Sequence, residues 1–428
     1  MDYVWFILWL GLLTGLIWYI PFFNKLEITR IELVLLLLIK FTVSLIYFAF
    51  FYYYIKNGDC LGYYFQGYKF HDIIKTEGWG VWWNIITEPN IGGYPEERLQ
   101  NKYYLNAVYW SNNGSLILSR MEALLHVIAG HSPFTHSLIY AWLSFVGLCL
   151  ISKVSTILTH IKLRILLYTI TLFPSILFWG SGMHKESLMH LILGIIIYSC
   201  YQFKTGKFYH IFLGIISAII LLYMRNYALL LLLPPMIAWI ITFDNKKKVW
   251  LKYIVIYVLF FFTAWQANNY FYGGGLINKI VHKQWEFTLS EGASSILKQP
   301  IHPDLKHLIA FIPTAVYHGF FRPTLFDIYK FEIAIEAIEI LLFWIIVAYL
   351  LIFYRNKKLS NPSWFWFLMS YSASYIIMLG VVVNTFGAIV RYKAVVLPLI
   401  VIALLMMIDT NKIELRLRST VSKISKKG

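Results

Sequence analysis

Apolar runs of about twenty residues recur along the chain, each bounded by short polar or basic stretches, and twenty residues of helix are what it takes to cross the hydrocarbon of a bilayer. Runs near 3–22, 32–55, 134–151, 165–180, 187–203, 208–224, 227–243, 250–271, 331–354, 363–384 and 391–408 predict about eleven transmembrane helices. The pattern is that of an all-α polytopic integral membrane protein, with 1–428 as a single membrane domain. Two stretches between runs are long, 56–133 and 273–330. The first contains the amphipathic stretch Ser115–Ala129 and the second the apolar stretch Leu308–Phe321. Both are expected to lie in or re-enter the interface, because a crossing there would invert every later loop.

Charge fixes an orientation for this pattern. Lys25 and Arg30, Lys153, Lys162 and Arg164, Lys204 and Lys207, Lys246 to Lys248, Arg355, Lys357 and Lys358, and the basic tail 409–428 all fall on one side, which the positive-inside rule makes cytoplasmic. Most acidic residues fall on the other side, among them Asp59, Asp72, Glu122, Glu186, Asp327, Glu332 and Glu336, so the chemistry is expected on the external face. The composition agrees: 59% of residues are hydrophobic and 14% charged, against about a quarter charged in soluble domains. The net charge of +16 is spread over short loops, which argues against a nucleic-acid partner and for the lipid bilayer. Cys60, Cys149 and Cys200 have neither disulfide nor metal-ligand spacing. Met1–Ile20 lacks the basic start and small-residue cleavage site of a signal peptide and reads as a retained helix.

One stretch departs from the pattern. Phe173–Leu188 places Pro174, Gly180 and Gly182 beside consecutive His184, Lys185 and Glu186, between two apolar runs. Charge in hydrocarbon costs a few kcal/mol per residue, so a broken helix carrying it marks a site or a plain interhelical turn with snorkelling charges. Asp59, in Asn57-Gly58-Asp59-Cys60, stands at a membrane boundary, where a carboxylate suits a general base acting on a hydroxyl; the flanking glycines suit a helix-capping Asp equally well. His71 and Asp72 follow about three turns on, as secondary candidates for the same cavity or as a solvated face. Arg225, Arg322 and Arg391 add cations to Lys185 on the expected external face, as binding a pyrophosphate or lipid phosphate would require, although an arginine at a span end also serves as an interfacial anchor. Glu332, Glu336 and Glu339 follow Arg322 at helical spacing. His126, His131 and His136 lie five residues apart, which is not a helical metal pair, and they read as interfacial, with metal binding the lesser alternative. His302, Asp304 and His307 are similarly open. No Gly-rich nucleotide loop or Walker motif is present, which argues against an ATP-driven pump.

Taken together, Asp59 at the start of a large first external loop, the Pro-Ser-x-Leu-Phe-Trp run ending in Lys185-Glu186, Phe321-Arg322-Pro323 with its downstream glutamates, and Arg391-Tyr392-Lys393 with Pro398 resemble bacterial GT-C glycosyltransferases. The resemblance spans Asp59 to Pro398 in short motifs, and it departs from the family where Cys60 replaces the second member of the usual acidic pair. It implies an enzyme of the bacterial cytoplasmic membrane, active on its external face. Such an enzyme would take a polyprenyl-phosphate-linked sugar as donor and a glycan or lipid as acceptor. Asp59 would be the catalytic base, and His184, Lys185, Glu186, Arg225, Arg322 and Arg391 would form the phosphate-binding surroundings. A divalent metal is an open option. Other readings are a lipid-linked polysaccharide polymerase or ligase, a transporter or flippase, and a non-catalytic assembly subunit.

Overall fold

The computed structural model describes residues 2–87, 112–244, 247–270, 275–289, 296, 300–355, 358–410 and 412–413. Lys246, Lys357, residues 88–111 of the first long stretch, much of 290–299 and the basic tail from 414 onward lie outside the described residues. Among the described residues the chain is helical, without a strand and with one isolated bridge, Arg355 to Ile408. The helices are α1 (Asp2–Tyr19), α2 (Pro21–Asn24), α3 (Arg30–Ala49), α4 (Asp59–Glu77), α5 (Trp79–Thr87), α6 (Asn113–Ile128), α7 (Pro133–Thr159), α8 (Leu163–Leu172) and α9 (Pro174–Trp179). They continue as α10 (Lys185–Lys204), α11 (His210–Thr242), α12 (Val249–Tyr270), α13 (Leu276–Leu289), α14 (Leu305–Val316), α15 (Phe331–Tyr354), α16 (Pro362–Val382), α17 (Phe386–Lys393) and α18 (Leu397–Met406).

This is an all-α, multi-pass membrane protein. Among the described residues seven helices are long and apolar enough to cross a bilayer, or eight if the bent pair α17 and α18 is one span. Three places account for the difference from the eleven runs read along the sequence. Helices α1 and α8 are shorter apolar helices, and the runs 208–224 and 227–243 are two helices joined across a kink within α11. That helix is interrupted at Arg225, whose backbone (φ −152°, ψ 82°) is not helical. In α12 and α15 only 11% of the apolar window is buried by protein. Exposed apolar surface on that scale is covered by lipid.

The chain divides into two compact units, 1–154 with 163–229 and 155–162 with 230–428. In the first, Thr29 and Glu32 form a capping box that starts α3. The end of α3 loosens into a π turn, Phe50–Ile55, and left-handed Lys56 (φ 54°) with Gly58 (φ 142°) turns the chain into α4. Helix α4 packs closely on α6 because Gly67 has no side chain: a Cβ there would sit 2.3 Å from Glu122 Cβ. Trp82 and Ile85 of α5 pack on Phe70, Ile73, Leu116 and Ala123 beside that contact. Helices α7 and α10 meet at Gly147 and Gly194, where an added Cβ would lie 2.2 Å from the His190 carbonyl oxygen and 2.6 Å from that of Gly147. Small residues let membrane helices approach in this way.

The second unit is built around α16, started by the Asn361 cap and Pro362. Trp239, Trp364 and Phe367 pack together at its start, with ring centroids 4.9–5.1 Å apart. Near its end Gly380 lies against the Ala315 carbonyl of α14. Ile301, Ala315, Val381 and Val382 form a small core there.

Candidate functional site

The interruption at 173–188 is a short helix, α9, followed by a turn and then α10. Pro174 occupies the first turn of α9, where its missing N–H costs nothing, and Gly180 caps the other end. The turn is held from within α3. Lys40, fully buried, donates from Nζ to the Gly180 carbonyl at 2.7 Å and to Ser181 Oγ at 3.1 Å. This residue was hidden in the sequence by its surroundings, one lysine inside an otherwise apolar run.

His184 and Lys185 leave that turn toward α4. The buried His184 ring stands edge-on to Tyr47 and Tyr63, with centroids 5.4 and 6.3 Å away. Lys185 Nζ lies 3.2 Å from Ser115 Oγ and 5.8 Å from the centre of the Tyr63 ring. Asp59 is the first residue of α4, one turn before Tyr63 and on the same side of the helix. A carboxylate there also complements the helix dipole. Glu186, in the first turn of α10, forms a buried ion pair with Arg225, and Arg225 Nη1 donates to Tyr227 Oη at 2.8 Å. Asp59, His184, Lys185, Glu186 and Arg225 are therefore carried by elements of the first unit. An apolar cavity of about 360 Å³ in that unit, lined by Phe22, Trp142, Tyr198 and Leu213 among others, has none of these residues in its wall.

Arg322 and Arg391 belong to the second unit. Arg322 makes a two-pronged pair with Asp327, Nε donating to Oδ2 at 3.1 Å, and its guanidinium lies 4.8 Å from the centre of the Phe386 ring. Burial alone would raise the Asp327 pKa, but the bonds from Arg322 and Thr324 outweigh it and hold the carboxyl at about 2. Lys393 Nζ donates to the Arg322 carbonyl at 3.2 Å and is within electrostatic reach of Glu336 and Glu339. The Phe-Arg-Pro stretch and the Arg-Tyr-Lys stretch, seventy residues apart in sequence, thus meet in space. Arg391 itself lies over the ring of Tyr392, 4.9 Å from its centre.

A third cluster gathers histidines for which the sequence left metal binding as the lesser alternative. His71 and Asp72 do not join the junction: Asp72 pairs with Lys75 at 3.3 Å, and the His71 ring lies 4.8 Å from that of His131. Glu122, His126 and His136 are all buried, and their ligand atoms lie within 4.8 Å of one another. His136 Nδ1 is 2.6 Å from Glu122 Oε2, and His126 Nδ1 is 3.2 Å from His131 Nδ1. Burial, reinforced by His136, pushes the His126 pKa down to about 3, so this ring is neutral at ordinary pH. The three histidines read as interfacial in sequence because five-residue spacing was compared with helical pairs. The useful signal was Glu122 with His126, four apart on one helix face, while His136 arrives from α7.

No protein-family model matches the chain, and neither a curated protein nor a solved structure matches it. The class defined by fold and geometry is a multi-pass helical membrane protein with a broken-helix polar junction; anything more particular rests on the chemistry of these clusters.

Proposed function

We propose that the chain is a GT-C-type membrane glycosyltransferase, moving a sugar from a polyprenyl-phosphate donor to a lipid-linked glycan or another cell-envelope acceptor. In this reading the shorter apolar helices and both halves of α11 cross as well, giving about eleven crossings of the bacterial cytoplasmic membrane, and the protein works at the outer face. One observation carries the proposal. The helix that opens on Asp59 presents Tyr63, one turn on, to both His184 and Lys185, the polar residues of the broken helix. A base and a cation on two adjoining elements are what transfer from a phosphate-linked sugar needs. Asp59 accepts the proton of the attacking hydroxyl, and Lys185 stabilises the charge that grows on the departing phosphate. Arg225 carries charge balanced by Glu186, so in this reading it shapes the surroundings of the phosphate more than it attracts it.

The test is sugar transfer in membranes supplied with a polyprenyl-phosphate-sugar pool, comparing the unaltered chain with Asp59→Asn at equal protein level. Loss of at least about a hundredfold, the scale of a general-base contribution, is the expected result. Unchanged transfer removes Asp59 as base and moves the reading to a lipid-linked polysaccharide polymerase or ligase acting through the basic residues of Arg322, Arg391 and Lys393.

A further inference from the structure

We propose that Glu122, His126 and His136, with His131 as fourth ligand, form a binding site for a first-row divalent cation of the zinc type. The site is independent of the glycosyltransferase reading and stands on geometry: the ligand atoms of three buried side chains lie within 4.8 Å of one another. A carbonyl oxygen can only accept. His136 Nε2, 2.9 Å from the Gly130 carbonyl, therefore carries the ring proton, and in the neutral ring Nδ1 is a lone pair. That lone pair faces Glu122 Oε2, a second acceptor, at 2.6 Å. In His126 Nε2 faces the Tyr64 carbonyl at 3.4 Å, which leaves Nδ1 as a lone pair 3.2 Å from His131 Nδ1, an atom that can carry a proton. A proton on His136 Nδ1 would satisfy the first contact as an ion pair and an N–H of His131 the second, and a cation in place of that proton would draw on the same buried ligand atoms.

The surroundings are built for the cation. Imidazoles that bind a metal commonly donate their other N–H to a carbonyl or carboxylate, which fixes the tautomer and aims the lone pair. Gly130 performs this for His136 from a left-handed turn (φ 74°) between α6 and α7 that a side-chain-bearing residue rarely adopts. Glu122 Oε1 is buried, with the Tyr140 hydroxyl as its neighbour. A carboxylate wholly withdrawn from water is costly unless a cation or strong donors face it. The ligands also fit in kind and nearly in distance. Tetrahedral bonds of about 2.0–2.1 Å separate ligand atoms by about 3.3 Å, so shifts of about 1–2 Å would close Glu122, His126 and His136 on an ion. Three imidazoles and one carboxylate suit zinc, cobalt or nickel, and not magnesium or calcium, which take oxygen ligands.

The experiment uses the full chain purified in detergent and stripped with a chelator, with Co²⁺ as a visible probe and Zn²⁺ for competition. The expected result is a single ion per chain, tetrahedral Co²⁺ absorption, displacement by Zn²⁺, and a melting temperature raised by Zn²⁺. Glu122→Gln and His126→Asn should each weaken binding by more than about a hundredfold, beyond the roughly 10–100-fold seen when a supporting partner is lost. His302→Ala with His307→Ala, at an exposed pair elsewhere, should leave it unchanged. Failure of the unaltered chain to bind Co²⁺ stoichiometrically, in a preparation with a cooperative melt, overturns the proposal. So does binding that survives Glu122→Gln and His126→Asn together. Loss of transfer in Asp59→Asn or its persistence has no bearing on either result.

Discussion

Glu186→Gln tests how the junction is held. The carboxylate is 1% exposed and its partner Arg225 6% exposed, so the pair has almost no water to fall back on. Removing one charge from a buried pair costs about 3–5 kcal/mol, because the other charge stays behind without compensation. Here the loss should fall at the lower end, about 3 kcal/mol, because Arg225 keeps its bond to Tyr227 Oη and the Gln amide oxygen can still accept one hydrogen bond. That is a change of more than a hundredfold in the unfolding equilibrium, at about 1.4 kcal/mol per decade. Unfolding in mixed micelles, followed by tryptophan fluorescence, measures it. The double variant Glu186→Gln with Arg225→Gln removes both charges and should recover most of the loss, since neutral replacement of a whole buried pair is often tolerated. A single variant that loses less than 1 kcal/mol, or a double variant no better than the single one, would falsify the picture of an ion pair sealed from water.

Lys40→Met leaves the Gly180 carbonyl and Ser181 without their donor and should cost about 1–3 kcal/mol, with faster amide exchange confined to 181–184. Exchange unchanged there would mean that the turn holds without α3. Gly194→Ala forces α7 and α10 apart and should destabilise by about 1–3 kcal/mol, whereas Gly11→Ala, with open space around it, should be neutral or slightly stabilising; equal melts for the two would contradict the close crossing. Asp327 has a depressed pKa, so its pair with Arg322 contributes stability in full above the unfolded value near 3.9 and loses it as pH falls through about 2. Melts of Asp327→Asn should lack that part of the acid dependence between pH 5 and 2.5, and identical pH profiles for the two proteins would count against the pair.

Membrane class was legible in the sequence because it depends on runs, and a run is a local property. Apolar stretches of spanning length, bounded by basic loops, require no knowledge of what packs on what. The break at 173–188 was legible for a related reason: proline and glycine act on their own backbone. Span number was harder to read. Two apolar runs separated by Arg225-Asn226 look like two crossings, and the chain joins them end to end across a kink at Arg225, which pairs with Glu186. Partners of charged residues were not legible at all. Glu186 with Arg225, Lys40 with Gly180 and His136 with Glu122 are separated by 39, 140 and 14 residues. Nothing in the spacing of such residues predicts which will meet.

By itself, then, the sequence determined a helical protein in a bilayer, the place where a helix breaks, and the residue types available for chemistry at Asp59 and His184 to Glu186. Tertiary structure alone decided which charges are balanced, which helix holds the break, and that Glu122, His126 and His136 come together. The physical reason is range. Hydrophobic length and backbone preference act within a turn or a span, but ion pairing, close helix crossing at Gly67 or Gly194, and metal-ligand geometry depend on separations of a few ångströms between distant parts of the chain.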